Sequence, residues 1–142
     1  LHPAPIRKAG LDRLQAIPES RGETVLVIED EPTILEMATM MLKHLGYGIL
    51  SAATPGEALQ IAREHPADIH LILTDVVMPE MNGRDLVDRL KAIRPELKTL
   101  FMSGYTADVI ADQGVLDAHV DFIHKPFSIK DLAAKIREVL DA

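Results

Sequence analysis

Thr24-Val25-Leu26-Val27-Ile28-Glu29-Asp30-Glu31-Pro32 is the stretch from which the fold is read. Val25 to Ile28 is apolar at every position and mostly β-branched. A run apolar on both faces fits a strand covered on both sides, as in a parallel sheet sandwiched by helices. Three acids follow at once, and Pro32 then occupies the first position of a helix, where its missing N–H costs nothing. Ile34, Ala38, Met41, Leu42 and Leu45 recur at helical spacing after it, and Gly46 stands where a C-terminal cap glycine belongs.

The same alternation continues to the end of the chain. A second strand is expected over about residues 48–53. Thr54-Pro55-Gly56-Glu57 reads as a capping box opening a helix that runs to about His65, before Pro66. Ile69 to Leu73 is the third strand. Asn82-Gly83 is a turn signal, and Leu86, Leu90 and Ile93 mark a third helix. Leu100 to Met102 is the fourth strand, a weaker helix is expected over 107–113, and Val120 to Ile123 is the fifth strand. Ser128 caps a last helix with Ile129, Leu132, Ala133, Ile136 and Leu140 turned inward. Strict alternation of β and α predicts an α/β fold, a doubly wound five-stranded parallel sheet with right-handed crossovers and helices on both faces. Residues 1–23 read differently, as a linker or short helical extension. They carry Pro3, Pro5 and Pro18 and the charged run Glu19-Ser20-Arg21-Gly22-Glu23, with Leu11, Leu14 and Ile17 offering one short amphipathic turn. The domain itself is expected over 24–142.

Composition narrows the chemistry. With 142 residues the chain is one ordinary domain, and a domain of that size buries roughly 70% of its unfolded surface without needing staples. The absence of cysteine excludes disulfide scaffolds, cysteine-ligated zinc and iron–sulfur sites, and thiol catalysis. A net charge of −7 disfavours direct nucleic-acid contact and contact with anionic membranes. No apolar run approaches the ~20 residues of a membrane span. No signal-peptide pattern opens the chain, so a cytoplasmic setting is the expectation. The missing initial Met suggests a piece of something longer. The six histidines are scattered without an i,i+4 pair, the methionines read as packing residues, and no glycine-rich nucleotide loop is present.

In a doubly wound sheet the site lies at the carboxyl ends of the strands. Those ends carry Glu29-Asp30-Glu31, Thr74-Asp75, Ser103-Gly104 and His124-Lys125-Pro126. Two carboxylates ~4 Å apart repel by ~1 kcal/mol in water and by ~4 kcal/mol at an effective dielectric of 20, so a cluster of them calls for a cation. Oxygen-only donors suit Mg²⁺ (or Mn²⁺) rather than zinc or copper. An Asp beside a divalent cation and a Lys can attack phosphorus, with the cations neutralising the transferring group and a nearby Ser hydroxyl able to bond a phosphoryl oxygen. Taken singly, each residue has a plainer role. Asp30 and Glu31 suit a helix N-terminus, Asp75 a turn, Ser103-Gly104 a loop and Lys125 a solvated surface. Taken together, the plain roles require four coincidences.

These motifs resemble the receiver domain of two-component response regulators, in the CheY-like group. The resemblance rests on Val27-Ile28-Glu29-Asp30-Glu31, on Leu73-Thr74-Asp75 with Pro79 and Gly83, on Met102-Ser103-Gly104-Tyr105-Thr106, and on Phe122-Ile123-His124-Lys125-Pro126-Phe127. It implies a flavodoxin-like sheet of strand order 2-1-3-4-5. It further implies that Asp75 accepts a phosphoryl group from a phosphohistidine, and that Glu29, Asp30, Asp75 and the backbone carbonyl of Val77 hold Mg²⁺. Lys125 would bond the phosphoryl group, Ser103 and Phe122 would form the switch pair, and the Lys125–Pro126 bond is often cis in such domains. Glu29 replaces a common Asp, and its longer arm could act through water; Phe122 replaces a common Tyr and lacks its hydroxyl. Partners implied are a histidine kinase or a histidine phosphotransfer domain, with a possible dimer through the fourth helix, fifth strand and fifth helix. The opening Gly22-Glu23-Thr24 run, the Phe101-Met102-Ser103-Gly104 run and the leading linker look like the C-terminal receiver of a hybrid sensor histidine kinase, whose parent could be membrane-anchored. A free-standing regulator is the competitor. Two other readings stay open: a Mg²⁺ phosphotransferase or phosphatase with an aspartyl intermediate, and a degenerate receiver used only as a scaffold. Val77, where haloacid-dehalogenase phosphatases carry a second Asp, disfavours the first, and the intact Asp75, Ser103 and Lys125 disfavour the second.

Overall fold

The computed structural model describes residues 17–104 and 121–142. Among them the chain runs β1 (Thr24–Ile28), α1 (Pro32–His44), β2 (Gly48–Ala52), α2 (Pro55–Glu64), β3 (Leu71–Asp75), α3 (Gly83–Ile93), β4 (Lys98–Ser103), β5 (Phe122–His124) and α4 (Ile129–Leu140). The strands form one parallel sheet in the order β2-β1-β3-β4-β5, as the resemblance implied. The helix expected over 107–113, the residue Val120 and Tyr105 lie outside the described residues.

Period-two alternation splits the core. Val25, Val27, Leu71, Leu73, Leu100 and Met102 turn to one face and pack with Ala38 and Leu42 of α1 and with Leu132, Ala133 and Ile136 of α4. Leu26, Ile28 and Ile72 turn to the other and pack with Ala58 and Ala62 of α2 and with Leu86 and Leu90 of α3. Each of these large side chains, fully buried, contributes ~1.5–3 kcal/mol, which is why β1 and β3 are apolar on both faces. Along α1 and its C-cap the expected inner face is borne out at Ala38, Leu42 and Leu45, while Ile34 and Met41 are half-buried at its margin. In α4, Ile129 and Leu140 are likewise marginal, and Arg137 and Val139 are buried instead.

Several boundaries differ from expectation for physical reasons. β3 extends two residues beyond Leu73, because Thr74 and Asp75 continue the ladder opposite Phe101 and Met102. Thr54 caps α2, its hydroxyl accepting from the Glu57 N–H at 3.1 Å, but the Glu57 carboxylate accepts from the N–H of Ala53, one residue before the cap. The complete capping box belongs to α4, where Ser128 and Asp131 bond each other's backbone N–H. Gly46 ends α1 with φ +88°, a conformation in which a Cβ is strained. Residues 17–23, read from sequence as the end of a linker, are packed on the sheet unit. Ile17 rests on the α1/α4 core, the Ser20 N–H donates to the Leu45 carbonyl at 2.9 Å, and Glu23 pairs with Arg137.

Candidate functional site

β1 and β3 are central strands, and their carboxyl ends bring Glu29 and Asp75 side by side. Both are buried, Glu29 almost completely. Lys125, three residues before Ser128, reaches back from the β5–α4 connection. Its Nζ donates to Glu29 Oε1 and to Asp75 Oδ2, each at 2.9 Å. The remaining oxygens are oriented by the backbone: the Glu31 N–H donates to Glu29 Oε2 at 3.1 Å, and the Val77 N–H to Asp75 Oδ1 at 3.3 Å. Asp30 is exposed at the rim, and oxygens of Glu29, Asp30 and Asp75 lie within 4.8 Å of one another.

Ser103, the last residue of β4, is buried, and its carbonyl accepts from the Lys125 N–H at 2.7 Å. This bond fixes the backbone from which Lys125 projects. The Lys125–Pro126 peptide is cis. Phe122 opens β5 opposite Phe101, half-buried against Val76, Val87 and Phe101, with its ring edge-on to His124 at 6.4 Å. The structure therefore gathers Glu29, Asp30, Asp75 and Lys125 directly, with Ser103 joined through its backbone. Phe122 lies on the neighbouring α3-side cluster.

Gly83 is a positioning residue that the sequence flagged for a different reason. Asn82-Gly83 reads as a turn signal, yet neither residue has positive φ. Asn82 caps α3, its Oδ1 accepting from the Asp85 N–H at 2.9 Å. The Gly83 N–H donates to the Val76 carbonyl at 2.6 Å. A Cβ on Gly83 would lie 2.4 Å from the backbone oxygen of Asp75, inside any allowed contact. The glycine lets the loop after β3 fold back against the strand that ends in Asp75.

Two buried carboxylates share one ammonium, and a third stands at the rim. Burial pushes the Glu29 carboxyl up to about 7, an effect that the bonds from Lys125 and the Glu31 N–H only partly offset. Burial alone would pull the Lys125 ammonium down, but its bonds to Glu29 and Asp75 outweigh this and hold it above its ordinary value. A divalent cation would relieve the remaining repulsion. Octahedral coordination at ~2.1 Å sets ligand oxygens ~3–4.2 Å apart, a separation comparable with the 4.8 Å within which these oxygens lie. The donors are all oxygen, so the residues present fit that ion.

The Response regulator receiver domain family matches this chain over residues 25–137. Sensor kinase CckA of Brucella abortus (strain 2308) is 38% identical over 122 residues, covering 86% of this chain but only 13% of the kinase. The crystal structure of a response regulator receiver domain protein from Clostridium thermocellum superposes with a TM-score of 0.72 at 28% identity, covering 84% of this chain and 94% of that one. The receiver domain of the hybrid histidine kinase CckA superposes with a TM-score of 0.68 at 32% identity, covering 81% and 96%. Family match, strand order and the acid–lysine cluster agree: the chain belongs to the response regulator receiver domains, the regulatory, phosphorylation-accepting modules of two-component systems.

Proposed function

We propose that the domain takes a phosphoryl group from a phosphohistidine onto Asp75 and changes conformation when it does so. The observation that carries this reading is the Asp75 carboxylate, held at the end of a central strand by Lys125 and flanked by Glu29 and Asp30. An Asp75 oxygen attacks phosphorus, the O–P bond forms as the P–N bond breaks, and the electron pair returns to the imidazole nitrogen, which takes up a proton. Lys125 shifts from carboxylate to phosphoryl oxygen, a change between charge-assisted bonds that keeps its charge paired. The Ser103 hydroxyl then bonds a second phosphoryl oxygen, and Phe122 moves with it as the other half of the switch. Mg²⁺ held by Glu29, Asp30, Asp75 and the Val77 carbonyl would neutralise charge on the transferring group.

The domain is in this reading a regulatory switch that supports its own phosphorylation and dephosphorylation, not a stand-alone enzyme. Its donor is a histidine kinase or histidine phosphotransfer domain. The similarity to a sensor kinase and to the receiver domain of a hybrid histidine kinase favours a place within a hybrid kinase, and the setting proposed is cytoplasmic. Among the described residues no helix is long and apolar enough to cross a membrane. The test is intact mass after incubation with acetyl phosphate and Mg²⁺. One added phosphoryl group is expected, abolished by EDTA and absent in Asp75→Asn. A gain that survives in Asp75→Asn removes Asp75 as the acceptor.

A further inference from the structure

The turn that precedes β1 is built to be held. The Arg21 N–H donates to Glu23 Oε1 at 2.7 Å and the Gly22 N–H to Ser20 Oγ at 2.9 Å, with Gly22 at φ +97°. Outside the turn, the Ser20 N–H donates to the Leu45 carbonyl at 2.9 Å, and the Glu23 carbonyl accepts from the Gly48 N–H at 3.0 Å. The strongest tie runs to α4. Arg137 is buried and grips Glu23 with both terminal nitrogens, at 3.0 and 2.7 Å, while also bonding Asp141 at 2.8 Å. Arg21 adds a looser pair with Asp141 at 3.5 Å.

α4 joins this clamp to the site. Its cap, Ser128, is three residues past Lys125, and its twelve residues span ~18 Å. Along the stretch from Lys125 to Arg137, Phe127, Leu132, Ala133 and Ile136 are all buried in one cluster, and a close-packed interior transmits a displacement from one end of that stretch to the other. A bidentate guanidinium–carboxylate pair senses such movement well: ~1 Å of slip takes one of its two bonds past hydrogen-bond length.

We infer that residues 17–23 form a latch whose seating on α4 is coupled to the state of the Asp75–Lys125 site, so that the site's state is reported to the chain that leads into the domain. The part played by phosphorylation rests on the function proposed above; the mechanical coupling does not. Coupling of this kind is reciprocal, and it requires one element that both sites bias, here α4.

The experiment is amide hydrogen exchange on the full 142-residue chain, read at Ser20, Gly22 and Gly48. Lys125→Met, which releases the β5–α4 connection from the acids, is expected to speed exchange at these amides at least threefold. Lys130→Met, an exposed change on the same helix, is expected to leave them as they are. Acetyl phosphate with Mg²⁺ is expected to change the same amides in the native chain, with intact mass giving the phosphorylated fraction. Unchanged amides in Lys125→Met overturn the latch, as does an equal rise across α2, which marks global loosening. Phosphorylation proved by mass without any change at these amides overturns its link to phosphorylation. Absence of a mass gain while Lys125→Met still acts supports the latch and counts against the phosphoryl-acceptor reading instead.

Discussion

Val77 stands two residues past Asp75 and is 49% exposed, although its N–H is bonded to the Asp75 carboxylate. An apolar side chain at the mouth of the site offers nothing to orient a water behind phosphorus. If the phosphoryl group forms on Asp75 as proposed, its hydrolysis is expected to be slow, and Val77→Asn is expected to speed it about tenfold, ~1.4 kcal/mol of barrier. Following acyl-phosphate loss at fixed Mg²⁺ in both proteins checks this, and equal lifetimes would show that the side chain only packs the loop. The candidate acids, Ser103 and Lys125 were legible in the sequence because strand ends converge on one edge of a parallel sheet. The two N–H donors that aim Glu29 and Asp75 were not, since every residue but proline carries one and only the loop's path decides where it points.

At the scale of elements, α3 depends on a contact invisible in its periodicity. Gly83 sits at its first turn against the backbone of Asp75 and Val76. Gly83→Ala would ordinarily favour a helix, by up to ~1 kcal/mol. Here the methyl meets a backbone oxygen at 2.4 Å, which side-chain rotation cannot relieve. Overpacking of this kind costs ~1–3 kcal/mol, so Gly83→Ala is expected to lower stability and to displace Asp75. Urea unfolding measures the first and the rate of phosphorylation by acetyl phosphate the second; a stabilised, equally reactive variant would refute the contact's role. Capping signals were readable at Thr54 and Ser128, because they depend on residues three apart. The length of β3 was not, because polar residues at a strand end look like a loop until their partners on β4 are known.

Across the whole molecule, the long-range ion pair Arg137–Glu23 ties the leading turn to the last helix, with Asp141 sharing the guanidinium. The bonds from Arg137 hold the Glu23 carboxyl down at about 2, against an ordinary 4.5. A carboxyl depressed in the folded state stabilises that state above its ordinary value and loses the contribution as pH falls through the depressed one. Glu23→Gln is therefore expected to lower Tm at neutral pH, and the gap from the native chain is expected to narrow between about pH 4.5 and 2. A gap independent of pH would mean that Glu23 acts by packing alone. By itself the sequence determined the α/β class, the sites of most helix ends and the acids, hydroxyl and ammonium at the strand ends, because periodicity, capping and strand polarity are local. Only the tertiary structure decided that Arg137 is buried on Glu23, that Gly83 is needed for closeness rather than for a left-handed turn, and that Glu29 and Asp75 share one lysine. The first and last are contacts between residues far apart in the chain and the second depends on the path of the loop after β3, and the energy of each exists only once packing has removed the water between the groups.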